Sequence, residues 1–114
     1  MRTRVARLYA AHDLRVEEQD LAPPGPGEVL LRMAAGGICG SDLHYYQDGG
    51  FGPVRVREPI ICGHEAAGRV LQAGAGVDLA PGTLVAVNPS RPCGVCEYCL
   101  RDMPIHCLDM HFSG

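Results

Sequence analysis

The sequence predicts a mainly β domain built from short strands and short helices. Glycine (15) and proline (9) make up about a fifth of the 114 residues. Both residues are poor in helix and strand interiors and common in turns, so short elements joined by tight loops are expected. The apolar fraction of 46% is normal for a globular domain and too high for a disordered one. A chain of this length has room for one domain.

Five segments have the apolar pattern of strands. They span residues 4–9, 14–18, 28–35, 66–72 and 83–87. The first two flank a turn at His12 and Asp13, and this arrangement predicts a hairpin. A loop over residues 22–27 (APPGPG) separates the hairpin from the third strand, because neither a helix nor a central strand tolerates that composition.

A short helix is predicted to begin at Ser41 or Asp42 and to carry residues 43–47, because both residues are good N-caps. The glycine-rich residues 48–53 (DGGFGP) are predicted to form a loop. Residues 88–110 contain four cysteines and three prolines with little periodicity. This stretch indicates a lobe that is held together by something other than a hydrophobic core.

Composition excludes several classes of protein. The net charge is −3, and all ten basic residues are arginine, so the chain has no basic surface for nucleic acid. No segment approaches the roughly 18 consecutive apolar residues of a membrane span, and the N-terminus lacks the apolar core of a secretory signal. Six cysteines without such a signal indicate metal ligands or buried thiols in a cytoplasmic protein rather than disulfides.

The four cysteines of the lobe have the spacing of a structural zinc site. Cys93, Cys96, Cys99 and Cys107 follow the pattern C-x2-C-x2-C-x7-C. Two intervening residues let neighbouring thiolates converge on one ion, and four thiolates suit a closed tetrahedral zinc site. An iron–sulfur cluster is an alternative, although the common ferredoxin run has three residues before its fourth cysteine and a proline after it. Unbound or oxidised thiols are the remaining alternative.

A second, different set of possible metal ligands lies earlier in the chain. Cys39 and His44 belong to the segment CGSDLH, and His64 and Glu65 follow twenty residues after His44. A thiolate, an imidazole and a carboxylate are mixed donors, and three protein ligands with one open position are typical of catalytic zinc. Each residue alone is weak support, since a single cysteine or histidine is more often packed than ligating.

The chain resembles the N-terminal, GroES-like catalytic portion of the zinc-dependent medium-chain alcohol and polyol dehydrogenases. The matching motifs are GGICGSDLH (36–44), GHEAAGRV (63–70) and the cysteine lobe, in the order found in that family. The segments GGICGSDLHYYQ and AVNPSRPCGVCEYC are most similar to its sorbitol dehydrogenase-like branch. The resemblance implies a mainly β, partly closed barrel with short helices and a zinc lobe at about residues 89–110.

The resemblance also assigns roles to individual residues. Cys39 and His64 match the catalytic zinc ligands, and Glu65 matches the third ligand of the sorbitol branch, a role that a later cysteine takes in other branches. Asp42 matches the acid that orients the zinc-bound histidine.

Three further matches concern the substrate and its proton. Ser41 matches the hydroxyl that accepts the alcohol proton, and His44 matches the histidine that passes it to solvent. Tyr45 matches a substrate-pocket position, with a packed aromatic side chain as the alternative.

The activity that the resemblance implies is oxidation of a secondary alcohol of a polyol or sugar acid, L-idonate being the expected substrate. Two zinc ions per chain and NAD or NADP are the implied cofactors, and a homodimer or homotetramer is the implied assembly. A sibling enzyme acting on threonine, butanediol or a simple alcohol is an alternative. A non-catalytic zinc module is another, and a nucleic-acid-binding zinc ribbon is disfavoured by the acidic balance.

The dinucleotide-binding half of such an enzyme is not visible in the sequence. No G-x-G-x-x-G follows a strand, and no βαβ unit of about thirty residues can be placed. We therefore expect residues 1–114 to be the N-terminal part of the catalytic domain, a fragment without the Rossmann domain and inactive by itself.

Overall fold

Strands dominate the fold in the computed structural model, which describes residues 1–112. The strands are β1 (Arg2–Ala10), β2 (Asp13–Asp20), β3 (Val29–Gly36), β4 (Gly50–Phe51), β5 (Val54–Arg55), β6 (Ile60–Ile61), β7 (Ala66–Ala73), β8 (Leu84–Ala86), β9 (Ser90–Arg91) and β10 (His111–Phe112). The helices are α1 (Gly40–Asp48), α2 (Glu97–Leu100) and a 3-10 turn at Pro104–His106. The predicted mainly β class with short helices is confirmed.

The N-terminal hairpin forms as predicted and is longer than expected. β1 and β2 pair antiparallel from Arg2 opposite Asp20 to Leu8 opposite Leu14. Asp13 was predicted to lie in the turn but belongs to β2, because the turn closes over the two residues before it. β6 pairs with the other edge of β1, giving the strand order β2-β1-β6.

A second three-stranded sheet has the order β3-β7-β8. β3 and β7 pair antiparallel over eight residues each, with irregular register at two points. The strand pairs β4–β5 and β9–β10 form two smaller sheets. Over residues 1–112 the four sheets do not join into a closed barrel, as expected for a barrel that is only partly closed.

Helix α1 begins earlier than predicted. Its N-cap is Cys39, not Ser41 or Asp42. Asp42 occupies the third helical position, and its Oδ2 accepts a hydrogen bond of 3.0 Å from the Cys39 backbone N–H. This reciprocal bond satisfies a donor at the helix start, so Asp42 stabilises the cap from inside the helix. Gly49 ends the helix with φ of 72°, a left-handed conformation that suits glycine.

The segment predicted as a loop over residues 48–53 contains part of a tight hairpin. Phe51 pairs with Val54, and Gly50 pairs with Arg55. The Phe51 ring meets the edge of the Tyr45 ring at 5.4 Å between centroids. This aromatic contact packs the hairpin against α1. The glycines of residues 48–53 predicted a loop and gave no signal of this packing.

Very little of the chain is fully buried. Among the described residues, Leu8 and Val70 are the two buried apolar side chains, each 1% exposed. Leu8 also lines an open cavity of about 290 Å³ between the hairpin and α1, beside Leu14, Tyr46 and Cys62. No helix within residues 1–112 has the length and apolarity that a membrane crossing requires.

Replacing Leu8 with alanine is expected to lower the free energy of unfolding by about 2–3 kcal/mol. The value lies low in the range for buried leucines because the site adjoins an open cavity that water can enter. Val16→Ala is the matched control, since Val16 lies on the neighbouring strand and is 71% exposed. Urea unfolding of both variants measures the difference, and equal losses would contradict the assignment of Leu8 to the core.

Two candidate metal centres

The cysteine cluster consists of Cys93, Cys96, Cys99 and Cys107. One ligand atom from each lies within 4.8 Å of the others. Chain geometry brings them together: Cys96 is the N-cap of α2, Cys99 lies within that helix, and the 3-10 turn leads back to Cys107. All six cysteines of the chain are free thiols in the structure.

Backbone N–H groups point at the sulfur atoms of this cluster. The Cys107 Sγ accepts hydrogen bonds from the N–H groups of Cys93 (3.2 Å) and Asp109 (3.4 Å). The Cys93 Sγ accepts from the N–H groups of Val95 (3.4 Å) and Cys96 (3.3 Å). Such donors stabilise negative charge on sulfur, so the lobe is arranged to hold thiolates.

The pKa values of these thiols diverge when no cation is bound. The backbone N–H of Cys99 lowers the pKa of Cys96 to about 6. The backbone N–H of Cys93 likewise lowers the pKa of Cys107. Withdrawal from water raises the pKa of Cys99 to about 12. The Cys99 thiol therefore loses its proton only when a cation offsets the negative charge of neighbouring thiolates, which fits a divalent zinc ion.

The mixed-ligand centre consists of Cys39, His64 and Glu65. One ligand atom from each lies within 4.8 Å of the other two. Cys39 is the N-cap of α1, and the other two residues directly precede β7. The structure thus brings together His64 and Glu65 with Cys39, which precedes them by 25 and 26 positions in the sequence.

Two glycines make room for this arrangement. A Cβ atom on Gly37 would collide with the Glu65 carboxylate, and the Gly37 N–H donates to the Glu65 carbonyl oxygen at 2.6 Å. Gly63 has φ of 107°, a conformation that side-chain-bearing residues rarely adopt. The carboxylate and the imidazole therefore depend on glycine backbone on both sides.

Two buried polar atoms near this centre have no hydrogen-bond partner among the described residues. They are Asp42 Oδ1 and His64 Nδ1. An unpartnered buried group is costly, and metal-binding histidines usually donate their second ring N–H to a carboxylate or carbonyl. The orphaned acceptor and the orphaned ring nitrogen are complementary, which fits the expected role of Asp42, although no bond joins the two in the structure.

The other expected residues follow one another on α1. Ser41 and Tyr45 are separated by one helical turn and are both half-buried. His44 is more exposed, with its Nδ1 at 3.5 Å from Asp48 Oδ2 and its ring 6.3 Å from that of Phe51. A histidine at the surface end of this face is suitably placed to exchange protons with water.

One aromatic residue at the mixed-ligand centre was not predicted from the sequence. The ring of Phe112, in β10, meets the edge of the His64 ring at 5.0 Å between centroids. β10 follows the cysteine cluster in the chain, and its pairing with β9 places Phe112 beside the strand that precedes the cluster. Its only sequence signal is an aromatic side chain after the last cysteine, which does not reveal the partner.

The fold and these two centres define a class of protein. Residues 25–114 match the alcohol dehydrogenase GroES-like domain. The chain belongs to this family, and the predicted GroES-like fold is confirmed.

The chain is also similar in sequence to individual proteins of this family. The chain is 50% identical over 93 residues to sorbitol dehydrogenase of Gallus gallus, covering 81% of this chain and 26% of that protein. It is 46% identical over 86 residues to L-idonate 5-dehydrogenase (NAD(P)(+)) of Escherichia coli, covering 75% of this chain and 25% of that protein.

The chain is also similar to a solved structure of such an enzyme. The crystal structure of L-idonate 5-dehydrogenase from Escherichia coli superposes with a TM-score of 0.87 at 39% identity. The match covers 100% of this chain and 32% of that one. The chain thus spans about a quarter of the length of the curated relatives it matches, and the similarity to sugar-alcohol and sugar-acid dehydrogenases covers most of it.

Proposed function

We propose that the chain is the N-terminal part of the catalytic domain of a zinc-dependent dehydrogenase that oxidises a secondary alcohol of a sugar acid or polyol. L-idonate, oxidised to 5-dehydrogluconate, is the substrate we favour. The convergence of Cys39, His64 and Glu65 within 4.8 Å carries the proposal, and relatives named for sorbitol and L-idonate support it.

Cys39, His64 and Glu65 would hold the catalytic zinc ion, and the cysteine cluster would hold a structural one. When bound at the first centre, zinc supplies Lewis-acid chemistry that lowers the pKa of a substrate hydroxyl. Three protein ligands suit this role because they leave one position for an oxygen donor. Asp42 would keep the His64 ring oriented through its second nitrogen.

The chain's own residues handle the proton. Ser41 accepts the hydroxyl proton of the substrate, and His44 passes it to water from its exposed position on α1. A nicotinamide dinucleotide, when bound by the complete enzyme, would accept the hydride from the carbinol carbon, so the alcohol would become a ketone as NAD(P)⁺ becomes NAD(P)H. Tyr45, half-buried on the Ser41 side of the helix, would bind a further substrate hydroxyl.

The remainder of the enzyme is also part of the proposal. We assign the dinucleotide to a Rossmann domain that is not contained in these 114 residues, so the chain by itself is inactive. A cytoplasmic homodimer or homotetramer is the proposed form of the complete enzyme.

Metal analysis and substrate profiling test this proposal together. The protein encoded by the whole reading frame that contains this chain is expected to carry two zinc ions per subunit. It is expected to reduce NAD⁺ or NADP⁺ with L-idonate or sorbitol faster than with threonine, butanediol or ethanol. Absence of activity on every polyhydroxylated substrate would refute the assignment.

A further inference from the structure

A cavity of about 290 Å³ lies between α1 and the residues that follow it, from β5 to β6. It is lined by Tyr45, Arg55, Arg57 and Glu58, together with three aliphatic side chains. Its volume is close to the lower end of the range for small-molecule sites. Apolar walls with a few convergent polar groups are typical of such sites.

The cavity is connected to the proposed catalytic residues through short stretches of chain. Tyr45 lies one helical turn beyond Ser41, so their side chains are neighbours, about 5–6 Å apart at Cβ. Ile60, which also lines the cavity, precedes His64 by four residues. A polyhydroxylated molecule whose reacting carbon lies at Ser41 would reach the cavity through Tyr45, the helical neighbour of Ser41.

Two arginines give the cavity an excess of positive charge. Arg55 is held in place because its Nη1 donates to the backbone carbonyl oxygen of Asp48 at 3.0 Å, which leaves its other N–H groups free for a ligand. Arg57 has no carboxylate within ion-pair distance among the described residues. Glu58 is the single acidic residue of the lining, so the net formal charge is positive.

We propose that Arg57, assisted by Arg55, binds the carboxylate of the substrate and thereby selects a sugar acid over a neutral polyol. This inference rests on the proposed dehydrogenase function. A guanidinium group matches a carboxylate with two parallel N–H···O bonds, and such charge-assisted bonds are the strong ones. Arg55 ends β5, and Arg57 follows two residues later and lines the same cavity.

The test compares two substrates on one set of variants of the complete enzyme. The Arg57→Gln variant is expected to lower the ratio of kcat/KM for L-idonate to kcat/KM for sorbitol by about 10- to 100-fold. Arg57→Lys keeps the positive charge but lacks the paired N–H groups of a guanidinium. This variant is expected to restore part of the kcat/KM preference for L-idonate. Glu58→Gln removes the negative charge of the cavity and is expected to raise the ratio of kcat/KM for L-idonate to kcat/KM for sorbitol. Arg4→Gln, an exposed arginine on β1 outside the cavity, is the matched control.

The outcomes separate this inference from the function on which it rests. An equal fall on both substrates, or an unchanged ratio, overturns the carboxylate site while the dehydrogenase assignment stands. A wild-type enzyme that oxidises sorbitol but not L-idonate also overturns the site alone. A wild-type enzyme that oxidises neither substrate overturns both.

Discussion

The Ser41→Ala variant of the complete enzyme is expected to turn over about 100- to 10,000-fold more slowly than the wild type, the range typical for loss of a general acid–base group. The reason is that Ser41 would be the acceptor of the hydroxyl proton, and no other hydroxyl side chain lies on α1 within one turn of Cys39. Steady-state kinetics with L-idonate and saturating dinucleotide measure the effect. His44→Ala is expected to show a loss of similar size, because the same proton must leave through it.

Two controls distinguish chemistry from folding in this experiment. Ser41→Thr retains a hydroxyl at the same position and is expected to keep part of the activity. Zinc content should remain two per subunit in all three variants, since none of them alters a proposed ligand. Unchanged turnover of both alanine variants with full metal content would favour the non-catalytic zinc module instead.

Removal of one ligand of the cysteine cluster is the second change with a large expected effect. We expect the Cys107→Ser variant to lose one zinc ion per chain and the ordered structure of residues 93–109. Structural zinc sites contribute about 10–16 kcal/mol of apparent binding free energy, most of which is folding free energy in small metal-dependent units. The lobe offers little else, because Val95, Leu100, Ile105 and Leu108 are all more than 70% exposed.

Metal analysis and amide hydrogen exchange over residues 93–109 measure this loss. Cys62→Ser is the matched control, because Cys62 is half-buried and lies outside both metal centres. Retention of two zinc ions and unchanged exchange protection in Cys107→Ser would show that the cluster does not organise the lobe.

The pH dependence of zinc binding by the lobe follows from its thiols. Cys99, with its pKa raised to about 12, is protonated at neutral pH in the metal-free lobe, so binding must release its proton. Cys96, with its pKa lowered to about 6, is already a thiolate there. Zinc affinity therefore rises with pH and weakens steeply once acid protonates Cys96 as well.

Local sequence signals predicted that the four cysteines of the lobe lie close together, as they do in the structure. The spacing of the four cysteines is sufficient for this prediction, because two intervening residues let neighbouring sulfur atoms converge on one point. Five of the ten described strands and the N-terminal hairpin followed from apolar patterns, which are also local properties, whereas β4, β5, β6, β9 and β10 were not predicted. The mixed donor types of Cys39, His64 and Glu65 suggested a metal site, and the resemblance to a known family assigned these three residues to one ion.

Three features of the structure were not predicted from the sequence. Residues 50–55 look like a loop because of their glycines, yet they pair as a hairpin that packs on Tyr45. The N-cap of α1 was misplaced because the capping carboxylate lies inside the helix, at Asp42. Phe112 reaches His64 only through the pairing of β10 with β9, for which so short a segment gives no signal.

The near absence of fully buried side chains within residues 1–112 has a thermodynamic consequence. The heat-capacity increase on unfolding comes mainly from apolar surface newly exposed to water, and here two side chains account for the fully buried apolar set. The stability curve of this unit should therefore be shallow, with no sharp optimum near room temperature. Because ligand binding to the native state adds stability by mass action, its melting temperature should rise with the concentration of free zinc in the buffer.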